Sequence, residues 1–180
     1  MSIVGLAAFG SSCSSAAALA PQPPHRTGIP AVDRVIDAVE AGDAEALRGL
    51  IRFAAFPCTT TEGLGGAPKC LESEPEGTPV EALPILGPEG GHIRRADIGS
   101  WAIEAGMKLY AVYRVRSSAF SDTFYPAGEY GVAFRASPEG SLAIYQVSEA
   151  GIVRVDYRYG FSMEDALGVD PGDIILGPLE

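Results

Sequence analysis

Two periods of apolar residues divide the chain. From Pro30, "PAVDRVIDAVEAGDAEALRGLIRF" carries Val32, Val35, Ile36 and Val39 at the i, i+3, i+4, i+7 spacing of one helical face, with Asp33, Arg34, Asp37 and Glu40 on the other. Gly42 ends that helix, and Asp43 is placed to cap a second one whose apolar face is Ala46, Leu47, Leu50 and Ile51. Residues 57–92 are rich in Pro and Gly, and the turns "SEPEGTP" and "GPEGG" flank the apolar "VEALPIL". A structureless loop of that length is unusual in a compact domain, so Val80–Leu86 and the segment about His92 are expected to form a short irregular hairpin. Asp97 then starts a third helix through Ala105, with Ile98, Trp101 and Ala102 inward and Gly106 at its end.

The last third alternates with period two. "KLYAVYRVR", "EYGVAFRAS", "SLAIYQVS" and "GIVRVDYRY" are rich in β-branched and aromatic residues and are separated by turn signals, which predicts four antiparallel strands. In the last of them Val153, Val155, Tyr157 and Tyr159 alternate with Arg154, Asp156 and Arg158, which assigns one covered face and one polar face. "SLAIYQVS" is apolar on both faces and suits a central strand. The tail predicts one helical turn capped by Ser162, then an extended Ile174-Ile175-Leu176 against the body. The class is therefore α+β, with N-terminal helices packed on an antiparallel sheet.

Length and charge narrow the partners. The 180 residues suit one domain, and the net charge of -10 disfavours nucleic acid, whose binding rests on Lys and Arg against phosphates. Arg94-Arg95 reads as a solvated face. Residues 1–20, apolar or small and uncharged, read as an export leader; residues 21–30 form a Pro-rich tether, and 31–180 the domain. Two cuts stay open. "FGSSC" followed by "SS" resembles a bacterial lipobox that would make Cys13 a lipid anchor, and Ala18-Leu19-Ala20 is an A-x-A site that would release a secreted protein. Both place the chain outside the cytosol, with membrane contact only through the lipid.

Export changes the meaning of the three cysteines. With Cys13 as the anchor, Cys58 and Cys70 remain as a pair that closes a Gly-rich loop and removes denatured-state entropy worth about 3 kcal/mol. Zinc is a poor alternative, since a closed site needs four ligands and the cysteines and the two histidines form no dense cluster. A nucleophilic cysteine lacks a histidine nearby in sequence, and "GLGGAPKC" matches neither the spacing nor the final hydroxyl of a phosphate loop. No metal and no cofactor is expected.

Helix, helix, irregular hairpin, helix, then four antiparallel strands is the order of the nuclear transport factor two-like, or SnoaL-like, superfamily. "VIDAVEAGDAEALRGLI" is similar to its opening helix pair, "GGHIRRADIGSWA" to its third-helix entry, and "GSLAIYQVSEAGIVRVDYRYG" to its closing hairpin, so the resemblance covers about residues 31 to 160. It implies a strongly curved, cone-like sheet around a cavity, lined here by Trp101, Tyr113, Phe134, Tyr145 and Tyr157, or those aromatics simply fill the core. Three functions follow from it. The first is a non-catalytic exported module that binds a small apolar ligand or a partner. The second is an isomerase, dehydratase or hydrolase of a small apolar compound, with Asp97, His92 and Tyr113 as candidate acid–base groups. The third is a structural envelope lipoprotein; the open sheet of the superfamily also makes a homodimer a candidate assembly.

Overall fold

A computed structural model describes residues 25–101, 107–116, 123–137, 141–160 and 162–179. The leader with Cys13 and residues 21–24 of the tether lie outside the described residues. Helix α1, Pro30–Glu40, starts on a proline whose missing N–H is one of the unpaired donors of a helix start. Its entry is tied by Asp33, whose carboxylate accepts from the Thr27 N–H and hydroxyl, each at 2.8 Å, and from the Gly28 N–H at 3.0 Å. Val32, Val35, Ile36 and Val39 are buried, as their spacing predicts.

Helix α2, Ala44–Gly49, is capped by Asp43, which accepts from the Ala46 N–H, but it is shorter than its apolar pattern suggests. Leu50 and Ile51 leave the helix because the chain pairs with the last long strand instead: the Arg52 N–H reaches the Ile152 carbonyl at 2.8 Å, and the Ile152 N–H reaches Leu50 at 2.9 Å. Gly151 permits this approach. Its φ is +141°, and a Cβ there would lie 2.2 Å from the Leu50 carbonyl oxygen.

The strands are β1 Ala54–Pro57, β2 Pro79–Leu86, β3 Gly91–Arg94, β4 Lys108–Arg114, β5 Tyr130–Ser137, β6 Ser141–Ser148, β7 Gly151–Tyr159 and β8 Ile174–Leu176, with a short helix α3, Met163–Leu167, between β7 and β8. They form one mixed sheet in the order β1-β2-β7-β6-β5-β4-β8, with β3 paired to β2. The expected hairpin is β2–β3, in register Leu83 opposite Ile93, and the four predicted strands β4–β7 are antiparallel neighbours. The one parallel pairing named strands make is β2 with β7. Ser162 caps α3 by accepting from the Asp165 N–H at 3.1 Å.

One expectation is corrected. Arg95–Ser100 is a 3-10 helix ending at Trp101, whose backbone is extended, and Asp97 lies inside it, exposed, rather than capping an α-helix; residues 102–106 lie outside the described residues. The sequence there, with Gly99 between Ile98 and Ser100, offers little α-helical propensity to resist the tighter winding.

Both sheet faces are covered. On the first, the α1 side chains share a core with Leu109, Val112, Val132, Phe134, Ala143, Tyr145, Val147, Ile152 and Val155. On the second, Ala166 and Leu167 of α3 pack with Tyr110, Ala111, Tyr113, Ala133, Leu142 and Ile144, while Phe56, Cys58, Val80 and Ala82 gather beside Phe124. The face of β7 that carries Arg154 and Asp156 is thus interior, and its reading as a simple polar face is corrected. Alternation identifies which residues share a face; it carries no information about what lies over that face.

Tyr113 stands opposite Gly131 in the β4–β5 pairing, and its ring lies across that glycine: a Cβ on Gly131 would fall 2.1 Å from the ring carbon that bears the hydroxyl. Gly131→Ala is expected to lower stability by about 1–3 kcal/mol through forced displacement of the ring. A urea midpoint unchanged from the parent protein would show that the ring does not rest there.

Candidate functional site

The cross-strand register lines up Tyr113, Gly131, Gln146 and Arg154 in one row over β4, β5, β6 and β7. Asp156 follows two residues beyond Arg154 and therefore shares its face. Arg154 and Asp156 are each 1% exposed, an unusual depth for two charges. They survive it by pairing. Asp156 Oδ1 accepts from Arg154 Nε at 2.6 Å, and Oδ2 accepts from Arg154 Nη2 at 3.0 Å and from Gln146 Nε2 at 3.0 Å. The remaining donors and acceptors reach the segment between β4 and β5: Arg154 Nη1 donates to the Tyr125 carbonyl at 2.7 Å, and Gln146 Oε1 accepts from the Gly128 N–H at 3.2 Å.

Beside this cluster opens a cleft of about 650 Å³, with Tyr113, Gln146, Asp156 and Arg158 in its lining together with Ala166 and Val169 from α3 and the loop after it. The Tyr113 hydroxyl is buried and makes no hydrogen bond of normal geometry. Burial pushes its phenol above the ordinary value, with the Arg158 guanidinium opposing that rise, so it stays protonated at neutral pH and acts as a donor. Arg158 Nη1 donates to the Leu167 carbonyl at 2.8 Å, and Nη2 lies 3.9 Å from Asp156 Oδ2.

Of the aromatic residues expected to line one cavity, Trp101, Phe134, Tyr145 and Tyr157 belong to one core and Tyr113 to another. Trp101 and Tyr157 share an apolar recess of about 560 Å³ with Ile85 and Ile93 near the β2–β3 turn. Tyr113 lies on the other face, and Phe134 and Tyr145 sit in the α1 core with their rings 5.7 Å apart, edge to face. His92 packs between Phe56 and Tyr125, and its Nε2 is 3.0 Å from the Phe124 carbonyl oxygen, which places the proton on that nitrogen. Strands β2, β7, β6 and β5 separate it from Tyr113, and Asp97 is exposed on the 3-10 helix. The candidate acid–base set is not assembled.

Cys58 and Cys70 are bonded, with Cα atoms 5.0 Å apart. The loop they close is clasped by Arg94, which donates to both Glu74 oxygens, at 2.8 and 2.6 Å, and to the Lys69 carbonyl at 2.7 Å. The Arg94 fork and the Leu71 N–H hold the Glu74 carboxyl down at about 2. Arg94 is thus a clasp rather than a solvated charge, while Arg95 is exposed beside Glu81. Among the described residues no group of His, Cys, Asp and Glu is arranged to hold a metal ion.

Gln146, Arg154 and Arg158 were not among the expected site residues. Their signal is present: Gln146 is the one amide within the apolar run "LAIYQV", and Arg154, Asp156 and Arg158 interrupt a strand otherwise built of Gly, Val, Ile and Tyr. Compared with known proteins, the chain matches no family model, no curated protein and no solved structure.

Arg154→Met is expected to cost about 3–5 kcal/mol, since it strands a buried carboxylate, and adding Asp156→Leu is expected to recover most of that loss. Chemical denaturation of the two variants checks this. A single-variant loss below about 1 kcal/mol is the signature of an exposed pair and would contradict the burial described.

Proposed function

We propose that the chain is an extracytoplasmic, SnoaL-like domain that binds a small molecule without transforming it. The observation that carries the reading is the contrast at the cleft: the Asp156 carboxylate is engaged by Arg154 and Gln146, whereas the Tyr113 hydroxyl beside it, approached by the Gln146 side chain, has no acceptor for its own proton. A general base needs a lone pair facing its substrate, and this carboxylate has its oxygens engaged. A buried donor without an acceptor is the mark of a place where a ligand completes the hydrogen bonding. The dispersal of Asp97, His92 and Tyr113 speaks against the isomerase or hydrolase reading.

The superfamily assignment is part of this proposal: the helix pair and the β2–β3 hairpin ahead of four antiparallel strands follow the element order it implies, with a 3-10 helix at the place of its third helix. In a SnoaL-like arrangement the sheet curls cone-like around the N-terminal helices, which would make the Trp101–Tyr157 recess the cone mouth and the Tyr113 cleft a site on the opposite face. Residence outside the cytosol is supported by the Cys58–Cys70 bond, which persists in oxidising compartments, and by the leader-like N-terminus. No helix among the described residues is long and apolar enough to cross a membrane.

Two measurements bear on this reading. Protein recovered from an oxidising secretion route is expected to show no alkylatable thiol at Cys58 or Cys70 before reduction; alkylation of both would return the chain to a reducing compartment. Titration of the labelled protein with indole, benzamide and benzoate is expected to move the Gln146 side-chain amide and Tyr113 ring NMR signals at about 1 mM or below. Signals that stay fixed with all three compounds would remove the binding function.

A further inference from the structure

We infer that the cleft on the second face selects a small carboxylate with an apolar body, its oxygens taking the Tyr113 hydroxyl proton and the open edge of the Arg158 guanidinium. This rests on the cleft being a ligand site. The Tyr113 side chain is buried, its residue 4% exposed, and its hydroxyl has no acceptor among the described residues. Arg158 spends Nη1 on the Leu167 carbonyl, while Nη2 stands 3.9 Å from Asp156 Oδ2, longer than a hydrogen bond. The Arg158 side chain is 34% exposed and lines the cleft, and a guanidinium has more donors than the one bond to Leu167 uses.

The acids nearby do not take up those donors. Asp156 is engaged by Arg154 and Gln146; Asp173 is paired with Arg116; Asp170 accepts from the Gly172 N–H at 2.8 Å; and Asp165 is exposed at the rim. Two donors, one of them cationic, therefore face a cleft in which the lining carboxylates of Asp165, Asp170 and Asp173 make no hydrogen bond to either of them. A planar anion matches a guanidinium edge better than a neutral carbonyl does, because charge assistance roughly doubles such a hydrogen bond. Screening over about 8 Å at physiological salt weakens the distant acids, and within the lining Arg114, Arg116 and Arg158 stand against Asp156, Asp165, Asp170 and Asp173. Leu86, Ala166 and Val169 in the same lining supply the apolar wall for the rest of the molecule. At about 650 Å³ the cleft suits an aryl or short alkyl acid and is small for a polymer.

The test uses the full chain, oxidised, with benzoate and octanoate set against benzamide and octanamide, read by NMR titration. The acids are expected to bind about tenfold or more tightly than their amides, Arg158→Gln to weaken the acids about tenfold and the amides little, and Tyr113→Phe to weaken the acids about tenfold and the amides less. In the unmutated protein, saturating benzoate is expected to move the slowest-ionising tyrosine, followed by ultraviolet absorbance, to higher pH, because an accepting carboxylate favours the protonated phenol. Amides binding as tightly as acids would overturn carboxylate selection and leave the cleft a ligand site. Acids that bind equally well to Tyr113→Phe, or a tyrosine titration that benzoate does not move, would overturn the assignment to Tyr113. Failure of all four compounds to bind would overturn the binding function and this inference together.

Discussion

The buried fork between Arg154 and Asp156 is the constraint around which the second face is organised. Two charges with almost no solvent contact are tolerated only while each donor and acceptor is met, and the partners come from different parts of the chain. Gln146 on β6 fills one acceptor position, and the backbone at Tyr125 and Gly128 meets the groups that remain. The cluster therefore ties β6 and β7 to the segment leading into β5. A neighbour that does not share in this satisfaction becomes conspicuous, and Tyr113 is that neighbour. Its ring reaches the cluster because Gly131 leaves the intervening strand without a side chain, and it arrives with a hydroxyl that nothing in the row accepts.

The other large excursion is held by covalent and ionic means at once. The Cys58–Cys70 bond closes the Gly-rich loop, and Arg94 on β3 reaches back to Glu74 and the Lys69 carbonyl at its exit. His92 on the same strand points its ring at Phe56 and Tyr125 and its Nε2 at the Phe124 carbonyl. The short β3 strand thus carries two side chains that fasten flanking segments, which explains why a four-residue strand at the margin of the sheet is ordered. It also explains why a histidine that looked available for acid–base work is packed as a structural donor.

For function, the separation of chemistry matters more than its inventory. A base, an acid and an oriented cavity have to meet within hydrogen-bond reach, and here the candidates lie at opposite ends of the sheet order. What does meet is a phenol donor, a partly open guanidinium and apolar walls. The carboxylates of Asp165, Asp170 and Asp173 border the same cleft. The aromatic recess near Trp101 and the cleft beside Tyr113 are lined differently but share Gly87 and Tyr157.

Local patterns along the chain determined a good deal. The α1 face, the Asp43 cap, the β2–β3 hairpin, the four antiparallel strands, the Ser162-capped turn and the Cys58–Cys70 pairing were all legible, because each follows from spacing, capping chemistry or cysteine count within a short window. The fate of the polar face of β7, the early end of α2, the split of the aromatics and the isolation of the Tyr113 hydroxyl were decided by the tertiary structure. Each depends on which distant segment is laid over a given residue: α3 and the Phe124–Tyr125 segment over Arg154 and Asp156, and β7 against Leu50–Arg52. Periodicity encodes the direction a side chain takes from its own backbone, and burial is set by the segment that arrives to meet it.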